Sequence, residues 1–353
     1  WSIFLASAAA AYLASAFIRA RIAPASGDGS AAPRVLFGGY EGALTAASAL
    51  SAAAVIERFS GLRMTLGLLF LGELLILCGA RLRNSFVRAL GAALLVLPFV
   101  RMVAVDMPDA QRTAAPGSTW TASSPLALLM AGVFYANRIL TKSGRWYNAA
   151  ASLLVAIVIA MEFASGWVAP AWTLMAIAGL VIGIRAQSRL TRWQVYAMAL
   201  AIFARVCLVN FDLTGVFMRI LTISLAVFGL YICQFLIPEG SSNLEKHGRV
   251  FFSVLATVLL TLLLFNEVQG RLLTVSWGLE GVSLLALGFA LRERTFRISG
   301  LVLFLLCIGK LFVYDLRELD TLSRILSFIV LGLLLLTASW IYTRFREEIR
   351  RLL

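Results

Sequence analysis

Carboxylates set in apolar surroundings are the residues of this chain best placed to do chemistry. Glu73, in Leu71-Gly72-Glu73-Leu74, and Glu280, in Trp277-Gly278-Leu279-Glu280-Gly281, each lie near the middle of a long apolar run. A charged side chain at a bilayer centre costs about 2.5–3.5 kcal/mol even on lenient insertion scales, so it marks proton or cation translocation, or a polar substrate site. The same positions also suit a protonated Glu hydrogen-bonded to a neighbouring helix. Glu41, after Gly38-Gly39-Tyr40, is a third candidate, close enough to a membrane face to be solvated.

A second set recurs. Glu57, Glu162 and Glu267 each end an apolar run and are followed closely by Gly61, Gly166 and Gly270. Another series of runs ends in a basic residue and then an aspartate: Arg101 and Asp106, Arg205 and Asp212, Lys310 and Asp315. A carboxylate and a cation at one depth can pair and lower the cost of partial burial. Arg205 and Lys310 sit a few residues inside their runs and can extend outward. Such pairs could ring an external cavity for an ion, a sugar or a lipid headgroup, or they could be one salt bridge copied with its unit. Repetition favours the second, because a substrate site is usually unique and a packing device is copied.

The elements that hold these groups are membrane helices. The chain has 353 residues, 61% hydrophobic and 14% charged, with a mean hydropathy of +0.90. A soluble domain averages about 45–50% apolar and about 25% charged. Runs of about 18 or more apolar residues read as bilayer-spanning helices. Thirteen stretches qualify: 1–18, 35–56, 62–80, 85–104, 120–140, 146–165, 169–184, 193–211, 217–237, 250–265, 274–291, 298–314 and 322–342. The net charge of +13 invites a nucleic-acid role until the charges are placed. Of the 31 basic residues, 21 fall in alternate loops, among them Arg81, Arg83 and Arg88; Arg185, Arg189 and Arg192; and Arg292, Arg294 and Arg297. The positive-inside rule makes that side cytoplasmic, so the excess is topological, with a contribution from anionic lipid headgroups. Nucleic acid is not an expected partner; membrane lipids are, along with other membrane subunits.

The recurrence has a fixed period. Glu162, Trp172, Arg205 and Arg219 return 105 positions later as Glu267, Trp277, Lys310 and Arg324, with a fainter earlier copy in Glu57 and Arg101. A fixed period means one structural unit reused. Four helices per unit give units over 1–108, 109–213 and 214–316, then one extra helix and a basic tail over 317–353. An even number of spans keeps successive units parallel, unlike the inverted repeats of many transporters. Glu73 and Glu280 occupy the third helix of units one and three, and Met175 stands at the matching place in unit two. Residues 106–124 form the longest external loop, with Pro108, Pro116 and Gly117. The connections are too short to fold as soluble domains.

Other chemistry finds no footing. Cys78, Cys207, Cys233 and Cys307 all fall within apolar runs, where they read as small packing residues, and His247 is the only histidine. No phosphate loop, dinucleotide glycine fingerprint, metal spacing or Ser-His-Asp set occurs, so no cofactor or metal is expected. An enzyme would have to rely on carboxylates and arginines alone. Gly179 and Gly183 form a GxxxG match, a helix-packing signal. The chain opens at Trp1 inside an apolar run, which suggests the ordered part of a longer protein.

Three carboxy-terminal segments carry a resemblance. Trp277-Gly278-Leu279-Glu280-Gly281, Lys310-Leu311-Phe312 with Asp315-Leu316, and Arg324-Ile325-Leu326-Ser327-Phe328-Ile329-Val330-Leu331-Gly332 resemble the bacterial membrane proteins catalogued as domain of unknown function 2339. The resemblance is good over the last 80 residues. It implies a long polytopic protein of the bacterial inner membrane and transfers no activity. The expected fold is an all-α bundle of about 13 transmembrane helices in parallel four-helix repeats, with a cytoplasmic carboxy terminus. Two functions stay open: a non-catalytic scaffold or subunit of a membrane complex, and a transporter or lipid- or glycan-handling protein that uses Glu73 and Glu280.

Overall fold

The structure, a computed structural model, describes residues 1–22, 40–114, 120–141, 145–238, 243–268 and 271–310, with isolated positions at 325, 329, 332, 333 and 336. Among the described residues every regular element is a helix. The chain divides into two compact units, Trp1–Glu162 and Phe163–Leu353.

Unit one contains α1 (Ser2–Ile22), α2 (Tyr40–Arg58), α3 (Leu62–Arg81), α4 (Ser85–Leu94), α5 (Val96–Arg101), α6 (Met107–Thr113), α7 (Ser124–Thr141) and α8 (Arg145–Glu162). A π-helical turn over Met102–Asp106 joins α5 to α6. Residues 107–113, expected in a loop, therefore continue the helix. Pro108 is tolerated because it stands in the first turn of α6, where its missing N–H costs little. Its core gathers Phe134, Met102, Met107, Leu95 and Leu154.

Unit two contains α9 (Val168–Arg185), α10 (Arg189–Leu208), α11 (Val216–Leu236), α12 (Asn243–Glu267), α13 (Arg271–Ala290) and α14 (Arg294–Lys310). Its main core mixes Leu180, Ile202, Leu230 and Phe252 with the small residues Ala169, Ala176, Ala199, Ala226 and Ala256, all buried. Lipid offers no hydrophobic drive between helices, so van der Waals packing holds them, and the alanines let their backbones approach. The outward surface is apolar too: Leu174, Phe228 and Leu305 are exposed.

Eight helices among the described residues are long and apolar enough to cross a membrane, fewer than the thirteen stretches read from sequence. The stretch at α2 forms a helix rich in Ala and Ser, and α7 carries Asn137 and Arg138. The apolar part of α8, Trp146–Glu162, is shorter, and α14 has only 17 residues. The stretch at 322–342 falls almost wholly outside the described residues.

Three tight helical hairpins organise these units: α3–α4, α9–α10 and α13–α14. Two residues past the end of each first helix stands a residue with positive φ, Arg83 (51°), Gln187 (50°) or Arg292 (57°). In the first two, the next residue returns its N–H five residues back, Asn84 to Gly79 O at 2.9 Å and Ser188 to Gly183 O at 3.0 Å. This is a Schellman-type ending. Asn84 and Ser188 then cap the following helix, accepting from Phe86 N at 2.9 Å and Thr191 N at 3.4 Å. One residue thus closes one helix and opens the next. Where the helices cross, a Cβ added at Gly79 or Gly288 would lie 2.6 Å from Arg88 N or 2.9 Å from Arg297 N.

Candidate functional site

Arg101 of α5, Arg205 of α10 and Lys310 of α14 each reach a hydroxyl on a preceding helix or its flanking turn. In unit one, Arg101 Nη2 lies 3.2 Å from Asp106, itself only 6% exposed. Thr65 joins them: its hydroxyl donates to Asp106 and accepts from Arg101 Nε at 3.1 Å. In unit two, Arg205 donates to the carbonyl and hydroxyl of Ser165 at 3.3 and 3.2 Å. Lys310 Nζ donates to Thr274 at 2.9 Å and lies 5.8 Å from the centre of the Trp277 ring. Asp212 sits in the short 3-10 turn after α10. Asp315 lies outside the described residues.

The recurrent glutamates take their partners from a different helix. Glu162 accepts from Thr121 N at 3.0 Å, from the Thr121 hydroxyl at 2.6 Å and from the Ser124 hydroxyl at the start of α7. Glu267 forms a two-pronged ion pair with Arg219 in the first turn of α11, through Nε and, at 2.9 Å, Nη2. Neither uses Arg101, Arg205 or Lys310, because the helix it ends runs antiparallel to its predecessor and closes on that predecessor's first turn. Glu57, at the end of α2, is exposed.

The intramembrane candidates separate. Glu73 is half-buried and accepts from Asn137 Nδ2 of α7 at 2.7 Å. Glu280 is 6% exposed, and its two oxygens lie 3.1 and 3.3 Å from the donating Thr261 hydroxyl of α12. Glu41 is partly buried in the first turn of α2. Glu73 and Glu280 do not hold one position in two copies. With Gly79 and Gly288 placed in register, Glu73 follows Gly72 whereas Glu280 precedes Gly281. Two residues on a helix amount to about 200°, so the two acids face opposite sides of their hairpins. Glu280 also lines a groove of about 500 Å³ with Ser276, Ser283, Tyr231, Phe228 and Leu287.

Sequence reasoning missed the hairpin ends. Asn84 donates to the Tyr40 hydroxyl at the start of α2 at 2.8 Å, and Glu293 pairs with Arg249 on α12. Both lie where one hairpin helix gives way to the next. A signal was present in the chain: glycine, then a polar residue five positions on, then arginine nine positions on, at 79/84/88, 183/188/192 and 288/293/297. Among the described residues no three His, Cys, Asp or Glu side chains converge as a metal site.

The family model for predicted membrane proteins of the DUF2339 type matches residues 2–345. The chain belongs to the DUF2339 family. The match extends well beyond the carboxy-terminal segments that carried the resemblance. No curated protein and no solved structure matches this DUF2339 chain.

Proposed function

We propose that this DUF2339 protein is a non-catalytic scaffold or subunit of a membrane complex, whose acids lock neighbouring helices. One observation carries this reading: Glu73, Asp106, Glu162, Glu267, Glu280 and Glu293 each accept from a side chain on another helix or its flanking turn within the same unit. A removed partner leaves a polar group in a medium that cannot solvate it, so such contacts fix which helices adjoin. The hairpin turns at Arg83, Gln187 and Arg292, spaced 104 and 105 residues apart, support an architecture of parallel four-helix units with about 13 spans. The alternating basic loops support a bacterial inner-membrane location with a cytoplasmic carboxy terminus. Lipids surround the bundle, and other membrane subunits are its proposed partners.

Exchanging the charges of one pair tests the locking role. Arg219→Glu and Glu267→Arg singly lower thermal stability and membrane abundance, and the double exchange restores both. A double variant no better than the worse single would remove the basis for the scaffold.

A transporter or lipid- or glycan-handling role through Glu73 and Glu280 is the second reading. The groove that places Glu280 beside Ser276 and Ser283, amid otherwise apolar walls, favours it. It requires that Glu280→Gln abolish ligand flux or lipid binding in proteoliposomes while the variant stays folded.

A further inference from the structure

A column of polar side chains runs along one face of α12. Arg249, Ser253, Thr257 and Thr261 follow one another at four-residue spacing, which stacks them on one side of the helix. At 1.5 Å per residue the column spans about 18 Å. Neighbouring helices supply polar groups to it. Arg249 pairs with Glu293 at the start of α14. The Tyr231 hydroxyl of α11 lies 3.1 Å from that of Thr257, and Thr261 donates to Glu280 of α13.

The remaining level is the informative one. Ser253 lies one turn from Thr257 toward Arg249, and Gln234 lies one turn from Tyr231 in the same direction, because α11 and α12 are antiparallel. The Tyr231–Thr257 contact therefore brings Gln234 and Ser253 to one level. Both side chains are fully buried. Among the described residues the Ser253 hydroxyl and both amide atoms of Gln234 have no hydrogen-bond partner. Polar atoms buried without partners are costly, and several at one level make the kind of site that ordered water occupies with two to four hydrogen bonds each.

We propose that this column holds a chain of water molecules linking the Arg249–Glu293 end of unit two to Glu280, and that Glu280 exchanges its proton with bulk water through it. The proton enters as hydronium at the Arg249 end, passes along the hydrogen-bonded waters and hydroxyls, and converts the Glu280 carboxylate to the acid; release runs the same path in reverse. No electron moves. The Glu280 charge is felt by the Tyr231 hydroxyl of α11 and the Cys307 thiol of α14, and Thr261 of α12 is bonded to it. The column goes beyond the scaffold reading, which concerns what holds the helices, and either can fail alone.

Infrared spectroscopy of the whole protein in lipid nanodiscs tests it. The carboxylic-acid band that appears on acidification and is missing from Glu280→Gln belongs to Glu280. Transfer to deuterated water should shift that band within the mixing time. In Gln234→Met with Ser253→Ala the shift should be slowed, and thermal stability should not rise, because water already satisfied those groups. If the double variant does not fold, Ser253→Ala alone gives the same comparison. A band that resists deuteration, one that shifts as fast in the variant, or a variant more stable than wild type would show a dry column and overturn the proposal.

Discussion

Adding one methyl group to Gly91 should separate close helix packing from simple helix propensity. Gly91 lies on α4 against α3, and a Cβ built there would stand 2.8 Å from Ile76 Cγ1 and 2.9 Å from both Gly72 O and Ile76 N. Two of those neighbours are backbone atoms and cannot rotate away. Replacing glycine by alanine inside a helix gains up to about 1 kcal/mol in propensity. Overpacking of a tight contact costs about 1–3 kcal/mol. The collision is with backbone on two sides, so the cost lies toward the upper part of that range and Gly91→Ala should lose about 1–2 kcal/mol net. Gly132 on α7 is the internal comparison, since a Cβ there meets nothing within 4 Å. Gly132→Ala should therefore be neutral or gain up to about 1 kcal/mol. Reversible unfolding in mixed micelles, followed by circular dichroism as denaturing detergent is added, reads both. Gly91→Ala as stable as wild type would refute the close approach of α3 and α4.

Three further outcomes follow from the same contacts. In a double-mutant cycle, Glu73→Ala and Asn137→Ala should couple by about 0.5–1.5 kcal/mol, the scale of interhelical hydrogen bonds in membrane bundles; additive losses would mean that the 2.7 Å contact contributes nothing. Asn84→Ala and Ser188→Ala should each lower stability by about 0.5–2 kcal/mol through loss of the cap, with the larger effect at Asn84, which also holds Tyr40. Equal stability of the Asn84 variant would contradict the double role of that residue. Arg83→Gly, Gln187→Gly and Arg292→Gly should each raise stability by up to about 1 kcal/mol by relieving a left-handed backbone, read as a later unfolding midpoint; a loss at all three would show that their side chains matter more than the strain.

The elements were more legible in the chain than their partners. Apolar runs between basic clusters located the helices, because hydropathy and charge asymmetry act along the sequence and need no neighbour to be known. The helix beyond Asp106 was hidden because Pro108 reads as a break, whereas the π turn before it lets the helix continue. Partners depend on three-dimensional adjacency. The spacing of Glu162 and Glu267 showed that a carboxylate recurs at one depth, yet Glu162 meets two hydroxyls and Glu267 meets a guanidinium. Glu73 and Glu280 looked equivalent because both sit in mid-helix. Their two-residue offset against the hairpin glycines, already present in the sequence, turns them to opposite faces.

The most direct measurement is the structure of the protein extracted gently into nanodiscs with whatever accompanies it. The scaffold reading predicts a second membrane protein against the helices, with Glu73, Glu162 and Glu267 still bonded to Asn137, Thr121 and Arg219. A lone chain with a polar ligand other than water bound at Glu280 would contradict it and make transport or lipid handling the account to pursue.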